Sequence, residues 1–464
     1  MPVKERGISD KTPEATKGER LSFGIKLSYG IGDIASNFFI VTTGMYLLYF
    51  LTNVVGVNPA LAGTALFIPK FWDVILDPIV GTLSDRTRSR FGRRRPYLLF
   101  GAVPFGLTFF LLFVAPHYQS EVARAIHLSL FFVIGCTVFA VINVPYSSMV
   151  AEMTDDYNER MSLTSFRMIF ASVGALLAGG LAMPVVKMGG DGEAGYRLMG
   201  ALFGVVMVVA CLVCFWGTKN AKALPVREVT PPIREQIKIA FRNFPFLMLM
   251  GSYFFQALAI GVMMAGFIYY VIYAMKLPDT AMQMVFPLFL VTAIVFIPVW
   301  LQVGKRIGKI KAYMIGLTIF CIMIGSLFFT SASQMALFYV QIFLAGIGFS
   351  SFQLFPFSML PDTIEYDELQ CGLRREGVFC GMWSAGQKIA YSVSPAIVGF
   401  ALSLSGFVVG GVQGEHVETG IRLIFCVFPA LAVLISFIPF LKYELTAERF
   451  EEIKKEIANK KRRS

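Results

Sequence analysis

The stretch FWDVILDPIVG (residues 71–81) places two carboxylates, Asp73 and Asp77, four residues apart in an otherwise apolar segment. The run before it, ALAGTALFIP (60–69), is also apolar, so the two together are long enough to cross a membrane as one helix. Residues four apart lie on the same face of a helix, with Cβ atoms roughly 6 Å from each other. Ionisable side chains are costly in lipid, so their presence here indicates a functional site.

The composition of the whole chain indicates a membrane protein. Of its 464 residues, 56% are hydrophobic and 15% are charged, whereas about 25% of the residues in soluble domains are charged. The predicted fold class is therefore an all-α polytopic membrane protein embedded in a lipid bilayer. Apolar runs bounded by Gly, Pro and charge clusters predict twelve transmembrane helices, at residues 24–52, 58–82, 96–116, 125–151, 161–186, 196–217, 244–275, 280–303, 313–331, 334–360, 377–405 and 420–442.

Lysine and arginine are distributed unevenly between the two sides of these predicted spans. The side that holds both termini carries 33 of them, the opposite loops carry five, and three lie within spans. Because cytoplasmic loops are enriched in Lys and Arg, we expect both termini in the cytoplasm and the protein in the cell (inner) membrane. Membrane topology thus accounts for the net charge of +11, and no nucleic-acid partner is expected.

The two halves of the chain contain related motifs. PYSSMVAEMTDD begins at Pro145 and PFSMLPDTIEYD begins 211 residues later, at Pro356. Six spans plus six with matched loops predict two pseudo-symmetric bundles with a site between them near the membrane midplane. The predicted units are a polar N-terminal tail (1–22), a six-helix bundle (23–217), a cytoplasmic linker with an amphipathic helix (218–243), a second six-helix bundle (244–442) and a cytoplasmic C-terminal tail (443–464).

The loop after the second span resembles the signature loop of the major facilitator superfamily. It contains Gly81, Asp85, Arg86, Gly92 and Arg93 in the pattern G-x-L-x-D-R followed by G-R-R. The resemblance implies the major facilitator fold and a cytoplasmic gate that includes Asp85, Arg86 and Arg93. The alternative is that these arginines only anchor the loop to lipid phosphates.

Nearly the whole chain resembles the glycoside–pentoside–hexuronide:cation symporters, the family typified by melibiose permease. The most specific shared motif is WDVILDP (72–78). Further shared motifs are SYGIGD (28–33), NVPYSSM (143–149), SFRMIFAS (165–172) and GQKIAYSVSPA (386–396). The resemblance implies a secondary active transporter that works by alternating access.

The resemblance implies that Asp73 and Asp77 form the site of the coupling cation, sodium or a proton, and no other cofactor is expected. Two ionised carboxylates on one face in a low dielectric need a cation or a shared proton, which agrees with this role. The alternative is a structural pairing, for instance with Lys70. Leu76 and Ala140 stand where the family has oxygen-bearing side chains that support the cation, which adds weight to proton coupling.

The predicted solute site lies between Asn37, Asn143, Arg167 and Lys388. The two asparagines align with aspartates that hold the sugar in galactoside-carrying members, so a melibiose-type substrate is not expected. Arg167 and Lys388 match basic residues of the family's central cavity, and without opposing cavity aspartates they would favour an anionic substrate such as a uronide. The alternative for Arg167 is snorkelling to the interface. Lys388 is predicted to reach Asp73 and Asp77 and to exchange with the cation.

These observations predict a cation:solute symporter that moves a sugar, glycoside or sugar acid and acts as a monomer. Phe- and Met-rich spans suggest an alternative, a cation-coupled carrier of an amphiphile such as a lysophospholipid, similar to the related sodium-dependent lysolipid symporters. A non-transporting sensor on the same fold is a further alternative. An enzyme is not expected, because the sequence shows no nucleophile–base pair or metal-ligand cluster.

Overall fold

The computed structural model describes residues 21–154, 156–221, 233–278, 281–371, 375–411 and 413–443, together with 445, 452–453 and 456. The described residues are organised in helices and contain no strand. This follows from the apolar runs, because a backbone in lipid must satisfy its polar groups internally, and a helix does so within one segment. The two predicted tails lie almost wholly outside the described residues.

Six long helices form the N-terminal half. The first, α1, comprises Phe23–Met45 and Leu47–Val54, with a bend of 46° between them. Serine side chains cap the first turns of α1 and α4, where Ser22 and Ser120 accept backbone N–H bonds. The other five helices are α2 (Pro59–Arg86), α3 (Arg95–Leu112), α4 (Glu121–Met153), α5 (Tyr157–Met188) and α6 (Gly192–Gly217).

The C-terminal half begins with a short amphipathic helix, α7 (Ile233–Arg242). Asn243 fixes the joint after it, since its amide donates to the Thr363 carbonyl at 2.8 Å and its side-chain oxygen accepts from the Phe246 N–H. The six long helices that follow are α8 (Phe244–Ala274), α9 (Met282–Ile307), α10 (Lys309–Phe329), α11 (Met335–Cys371), α12 (Glu376–Leu404) and α13 (Glu415–Phe440).

Each predicted span overlaps one of these twelve long helices in the described part of the chain. Ten of the helices are long and apolar enough to cross a membrane, and an eleventh qualifies when the bent α1 counts as one span. The remaining helix, α12, carries Gln387 and Lys388 near its middle, which lowers its mean hydropathy. The largest difference from prediction is at α11, which continues to Cys371 rather than ending at 360, so its acidic end remains helical.

The first long helices of the two halves end in the same way. A π-helical turn, Phe50–Val54, closes α1, and a matching turn, Tyr270–Ala274, closes α8, 220 residues later. Each turn is followed by a residue with left-handed backbone, Gly56 at φ +74° and Lys276 at φ +52°. This conformation is costly for lysine, so its occurrence at the equivalent position is evidence that the halves share one design.

The two halves touch near these π-helical turns. The Tyr269 hydroxyl lies 2.5 Å from Thr52 Oγ1, the Tyr273 hydroxyl donates to Asn53 Oδ1 at 2.6 Å, and the rings of Tyr49 and Tyr269 pack edge to face. We call this end of the helices the tyrosine face. The other end, next to loop 87–94 and the end of α11, is called the basic face.

Candidate functional site

Two acidic residues of α2 meet a lysine of α12 near the middle of the helices. Asp73 lies 14 residues after Pro59 and 13 before Arg86, so it sits at the centre of α2. The Lys388 ammonium is 2.8 Å from Asp73 Oδ2 and 2.7 Å from Asp77 Oδ2. Because α2 and α12 belong to different halves, this three-residue cluster joins the halves by charge. We call it the bridging cluster.

The bridging cluster holds more negative than positive charge, and one of its oxygens lacks a partner. Asp73 is buried, and its Oδ1 atom accepts no hydrogen bond. A buried carboxylate oxygen without a donor is costly, so it is a position at which a cation or a proton would be stabilised. Lys70, the structural partner considered for these aspartates, forms no ion pair with either one among the described residues.

The two positions that depart from the family pattern pack against each other. Leu76 on α2 and Ala140 on α4 are both buried, and with Val80 they form a small apolar cluster beside the aspartates. The wall that α2 and α4 form next to Asp77 is therefore hydrocarbon at Leu76, Val80 and Ala140. Hard cations such as sodium prefer oxygen ligands, so this wall supplies none from its side chains.

Arg167 on α5 pairs with Asp33 on α1. Its Nε atom lies 3.3 Å from Asp33 Oδ2, and its guanidinium stands over the Tyr146 ring at 5.3 Å. The expectation that no aspartate opposes Arg167 is therefore wrong. A guanidinium in a membrane span needs a counter-charge, and Asp33 on α1 supplies it.

Asp33 lies in the shared motif SYGIGD, but no role was predicted for it from the sequence. The available signal was the presence of Arg167 in an apolar span, which requires an acid on a neighbouring helix. The pair is tightly enclosed, since Tyr29 and Tyr146 stack at 4.8 Å and each hydroxyl donates to the other's carbonyl oxygen. We call Asp33 and Arg167 the internal pair, because α1 and α5 lie in the same half.

Asn37 and Asn143 lie between the internal pair and the bridging cluster. Asn37 donates its amide to the Asp33 carbonyl at 3.0 Å, and Asn143 Oδ1 accepts from the Ser36 hydroxyl at 3.2 Å. Each asparagine retains a polar side-chain atom without a partner in the described structure. Phe139, one turn before Asn143, lies 5.9 Å from the Lys388 ammonium. The four predicted solute residues therefore occupy adjoining parts of one region, although Arg167 and Lys388 are each held by acids.

The predicted gate residues lie apart from this region, at the basic face. Arg93 and Arg94 both donate to Glu152 at the end of α4, and Arg94 also contacts Asp85 at 2.8 Å. Arg86 is exposed and makes no polar side-chain contact among the described residues. Arg94 and Glu152 are members of the network that were not assigned as gate residues.

The same link recurs in the C-terminal half. Lys309 contacts Asp362 at 2.7 Å, and Asp362 occupies the place in the repeated motif that Glu152 has in the first half. The repeated motif that begins with PYSS in the first half and with PFSM in the second therefore contains both acids, Glu152 and Asp362. Each of these ion pairs joins residues of the same half, and none links the two halves. The gate role of Asp85, Arg86 and Arg93 therefore stays a prediction.

Comparison with known proteins agrees with this architecture. The pattern of the MFS/sugar transport protein family matches residues 28–447. The putative glycoside/cation symporter YagG of Escherichia coli (strain K12) is 29% identical over 444 residues, covering 94% of this chain and 95% of that protein. The glucuronide carrier protein homolog of the same organism is 28% identical, with 96% and 97% covered.

Solved structures show the same fold at lower identity. The crystal structure of a bacterial homolog to human lysosomal transporter Spinster superimposes with a TM-score of 0.68 at 14% identity. The match covers 92% of this chain and 97% of that one. The chain therefore belongs to the MFS/sugar transport protein family, and within it to the glycoside–pentoside–hexuronide:cation symporters.

Proposed function

We propose that this transporter is a cation:solute symporter in which Asp73 and Asp77 bind the coupling cation. The observation that carries the proposal is the bridging cluster, in which Lys388 of one half neutralises carboxylates of the other. A cation that enters between the aspartates competes with the lysine. Its binding therefore changes how strongly the two halves attract each other, which is what coupling to alternating access requires.

The contacts between the halves support a state that is open at the basic face. Polar and ring contacts join the halves at the tyrosine face, and α2 and α12 pack closely there, since Gly399 and Gly63 face each other. Between Lys388 and the basic face, no polar or ring contact joins the two halves in the described residues. With the basic face in the cytoplasm, as the charge distribution predicts, this is an inward-open state.

We propose that the solute is a sugar or glycoside and that Asn37 and Asn143 bind its hydroxyl groups. Asparagine amides donate to and accept from hydroxyls, and each of these side chains has an atom without a partner for that purpose. A sugar acid would have to draw Arg167 away from Asp33, so neutral solutes are favoured. The name of one relative, a putative glycoside/cation symporter, supports this choice, whereas the name of another, a glucuronide carrier protein homolog, favours a sugar acid.

The apolar wall formed by Leu76 and Ala140 favours a proton as the coupling cation. A proton needs only one carboxylate whose ionised form is disfavoured by burial and by its neighbour. Sodium is the second candidate, since the partnerless Asp73 Oδ1 is an oxygen of the type that it prefers.

The test is thermal unfolding of the purified protein against sugars, glycosides, uronides and lysophospholipids, each in sodium and in potassium and at several pH values. A ligand that binds only the folded state raises the melting temperature, by an amount set by its concentration relative to Kd. We expect a shift with a neutral sugar or glycoside that depends on pH or on sodium. Asp77→Asn should remove this dependence, and Glu193→Gln, which removes an exposed carboxylate elsewhere, should keep it.

Two outcomes would contradict the proposal. A shift produced only by lysophospholipids, after controls for detergent exchange, would assign the chain to amphiphile transport. A sugar-induced shift that is identical in Asp77→Asn and in the unmodified protein would remove the bridging cluster from the coupling mechanism.

A further inference from the structure

A cavity of about 220 Å³ opens at the basic face, away from the bridging cluster and the solute region. Three segments form it, namely the loop that leads into α3, the last turns of α4 and the end of α6 with the residues after it. Its lining residues are Arg90, Phe91, Gly92, Arg93, Arg94, Arg95, Met149, Glu152, Met153, Thr218, Lys219 and Ala221. All three segments lie at ends of the predicted membrane spans.

The cavity concentrates positive charge. Four consecutive or near-consecutive arginines and one lysine line it, whereas its lining contains a single acid, Glu152. Asp85, which lies just outside, neutralises part of Arg94 but is itself half exposed. Counting both acids, five cations face two anions, so at least three positive charges are left to solvent or to a ligand.

Two of the cations are held in place by a buried acid. The side chains of Arg94 and Glu152 are each about nine-tenths buried, with exposed fractions of 10% and 9%, and Arg93 and Arg94 share the same Glu152 oxygen. One carboxylate oxygen thus serves two guanidinium groups. Arg94 has Asp85 as a second acid, whereas the described residues supply Arg93 with no acid other than Glu152. A second anion near them would complete their coordination.

The remaining cations surround this centre. Arg95 is fixed against the Phe215 ring at 4.7 Å and donates to the Phe215 carbonyl, yet its buried Nε has no partner. Arg90 and Lys219 are exposed, on different segments, so they can close over an anion from two sides. A preformed buried centre with two exposed basic side chains beside it is an arrangement suited to a phosphate group.

We propose that this cavity binds a phosphate group, carried by the headgroup of an anionic phospholipid. Apolar side chains complete the wall of the cavity, namely Phe91, Met149, Met153 and Ala221. Such a wall suits the glycerol and acyl portion of a lipid better than a free phosphate ion. Basic pockets at the level of the headgroups are the sites at which membrane proteins hold anionic lipids. This inference does not depend on the identity of the coupling cation or of the solute.

The experiment measures binding to the full chain in detergent, by native mass spectrometry and by thermal unfolding. The probes are phosphatidylglycerol, phosphatidylcholine with the same acyl chains, and inorganic phosphate. The test variant is Arg90→Gln/Lys219→Gln, which removes the two exposed cations and leaves the ion pairs of Glu152 intact. The matched control is Arg306→Gln/Lys311→Gln, which removes two exposed cations from the same face in the other half.

We expect phosphatidylglycerol to bind the unmodified chain more tightly than phosphatidylcholine and to raise its melting temperature. The test variant should lose roughly tenfold or more in affinity, because each basic residue near an anionic surface contributes substantially, and the control should stay within twofold. The affinity should also fall with added salt. If the test variant does not fold, the single variants Arg90→Gln and Lys219→Gln replace it.

The three probes distinguish a lipid headgroup, a free phosphate ion and the absence of a binding site. If inorganic phosphate alone raises the melting temperature and the test variant abolishes that rise, the cavity binds phosphate and the ligand is a free anion. Equal binding of both lipids together with no effect of phosphate would overturn the proposal. So would an equal loss of affinity in the test variant and the control, because it would show attraction by net charge only.

Discussion

The internal pair and the bridging cluster are both intramembrane ion pairs, yet they are built in opposite ways. The internal pair has one acid and one base, Asp33 and Arg167, on two helices of the same half. The bridging cluster has two acids and one base, and its helices belong to different halves. A balanced pair within one body can persist through a conformational change, whereas an unbalanced cluster between two bodies must exchange partners when they move.

The residues around the internal pair and around the bridging cluster also differ. The internal pair lies against the stacked rings of Tyr29 and Tyr146, and the Arg167 guanidinium stands over the Tyr146 ring. The bridging cluster contains the partnerless Asp73 Oδ1. The two groups of charges therefore differ in charge balance, in the halves that they connect and in whether every acidic oxygen has a partner.

The largest effect is expected from removing one acid of the bridging cluster. Asp77→Asn leaves Lys388 with one carboxylate and removes the excess negative charge that attracts the cation. Uphill, cation-driven accumulation in proteoliposomes should fall at least about a hundredfold, since the coupling charge is lost, whereas solute exchange at equal concentrations should persist. Unchanged uphill accumulation would show that the cluster is as structural as the internal pair.

The next largest effect should come from the internal pair, on stability. Asp33→Asn leaves the Arg167 guanidinium without a counter-charge, and breaking a buried pair costs about 3–5 kcal/mol. The melting temperature should therefore drop clearly. The double variant Asp33→Asn/Arg167→Gln should recover much of the loss, as a double-mutant cycle would measure. If the double variant retains full stability but loses substrate binding, Arg167 also serves the solute.

A smaller effect is expected from restoring oxygen atoms to the apolar wall. Leu76→Asn combined with Ala140→Thr places an amide and a hydroxyl where hydrocarbon now faces Asp77. The sodium concentration that gives half-maximal transport should fall about tenfold, because hard cations bind more tightly with more oxygen ligands. Transport assays with graded sodium at fixed pH measure this. Leu76→Met with Ala140→Ser is a control that adds only one oxygen and should produce a smaller change.

The smallest effect is expected at the tyrosine face. Tyr273→Phe removes the hydroxyl that donates to Asn53, so it should shift the equilibrium between the inward-open and outward-open states by about 1 kcal/mol, or roughly fivefold. Distance measurements between spin labels on the two halves would detect the shift. Tyr118→Phe, at an exposed hydroxyl outside the contact between the halves, should cause none.

The arrangement of helices could be predicted well from local information. Hydropathy identified each long helix to within a few residues, except that α11 extends to Cys371, where its acidic end stays helical and buries Asp362, Asp367 and Glu368. The acids Asp73 and Asp77 were recognisable because a carboxylate in an apolar run has few explanations other than function. The contact between Leu76 and Ala140 was not foreseen, although both departures from the family pattern were noted.

By itself, the sequence determined that the chain is a helical membrane transporter with two related halves and charged residues at midspan. Hydropathy, helical spacing and repeated motifs are local properties, so they can be read along the chain. The approach of Lys388 to Asp73 and Asp77 was predicted, whereas only the tertiary structure showed that Asp33 opposes Arg167. Arg167 meets Asp33 across 134 positions and Lys388 meets Asp77 across 311. Such pairings depend on how helices pack, and one more turn of any helix would have changed them.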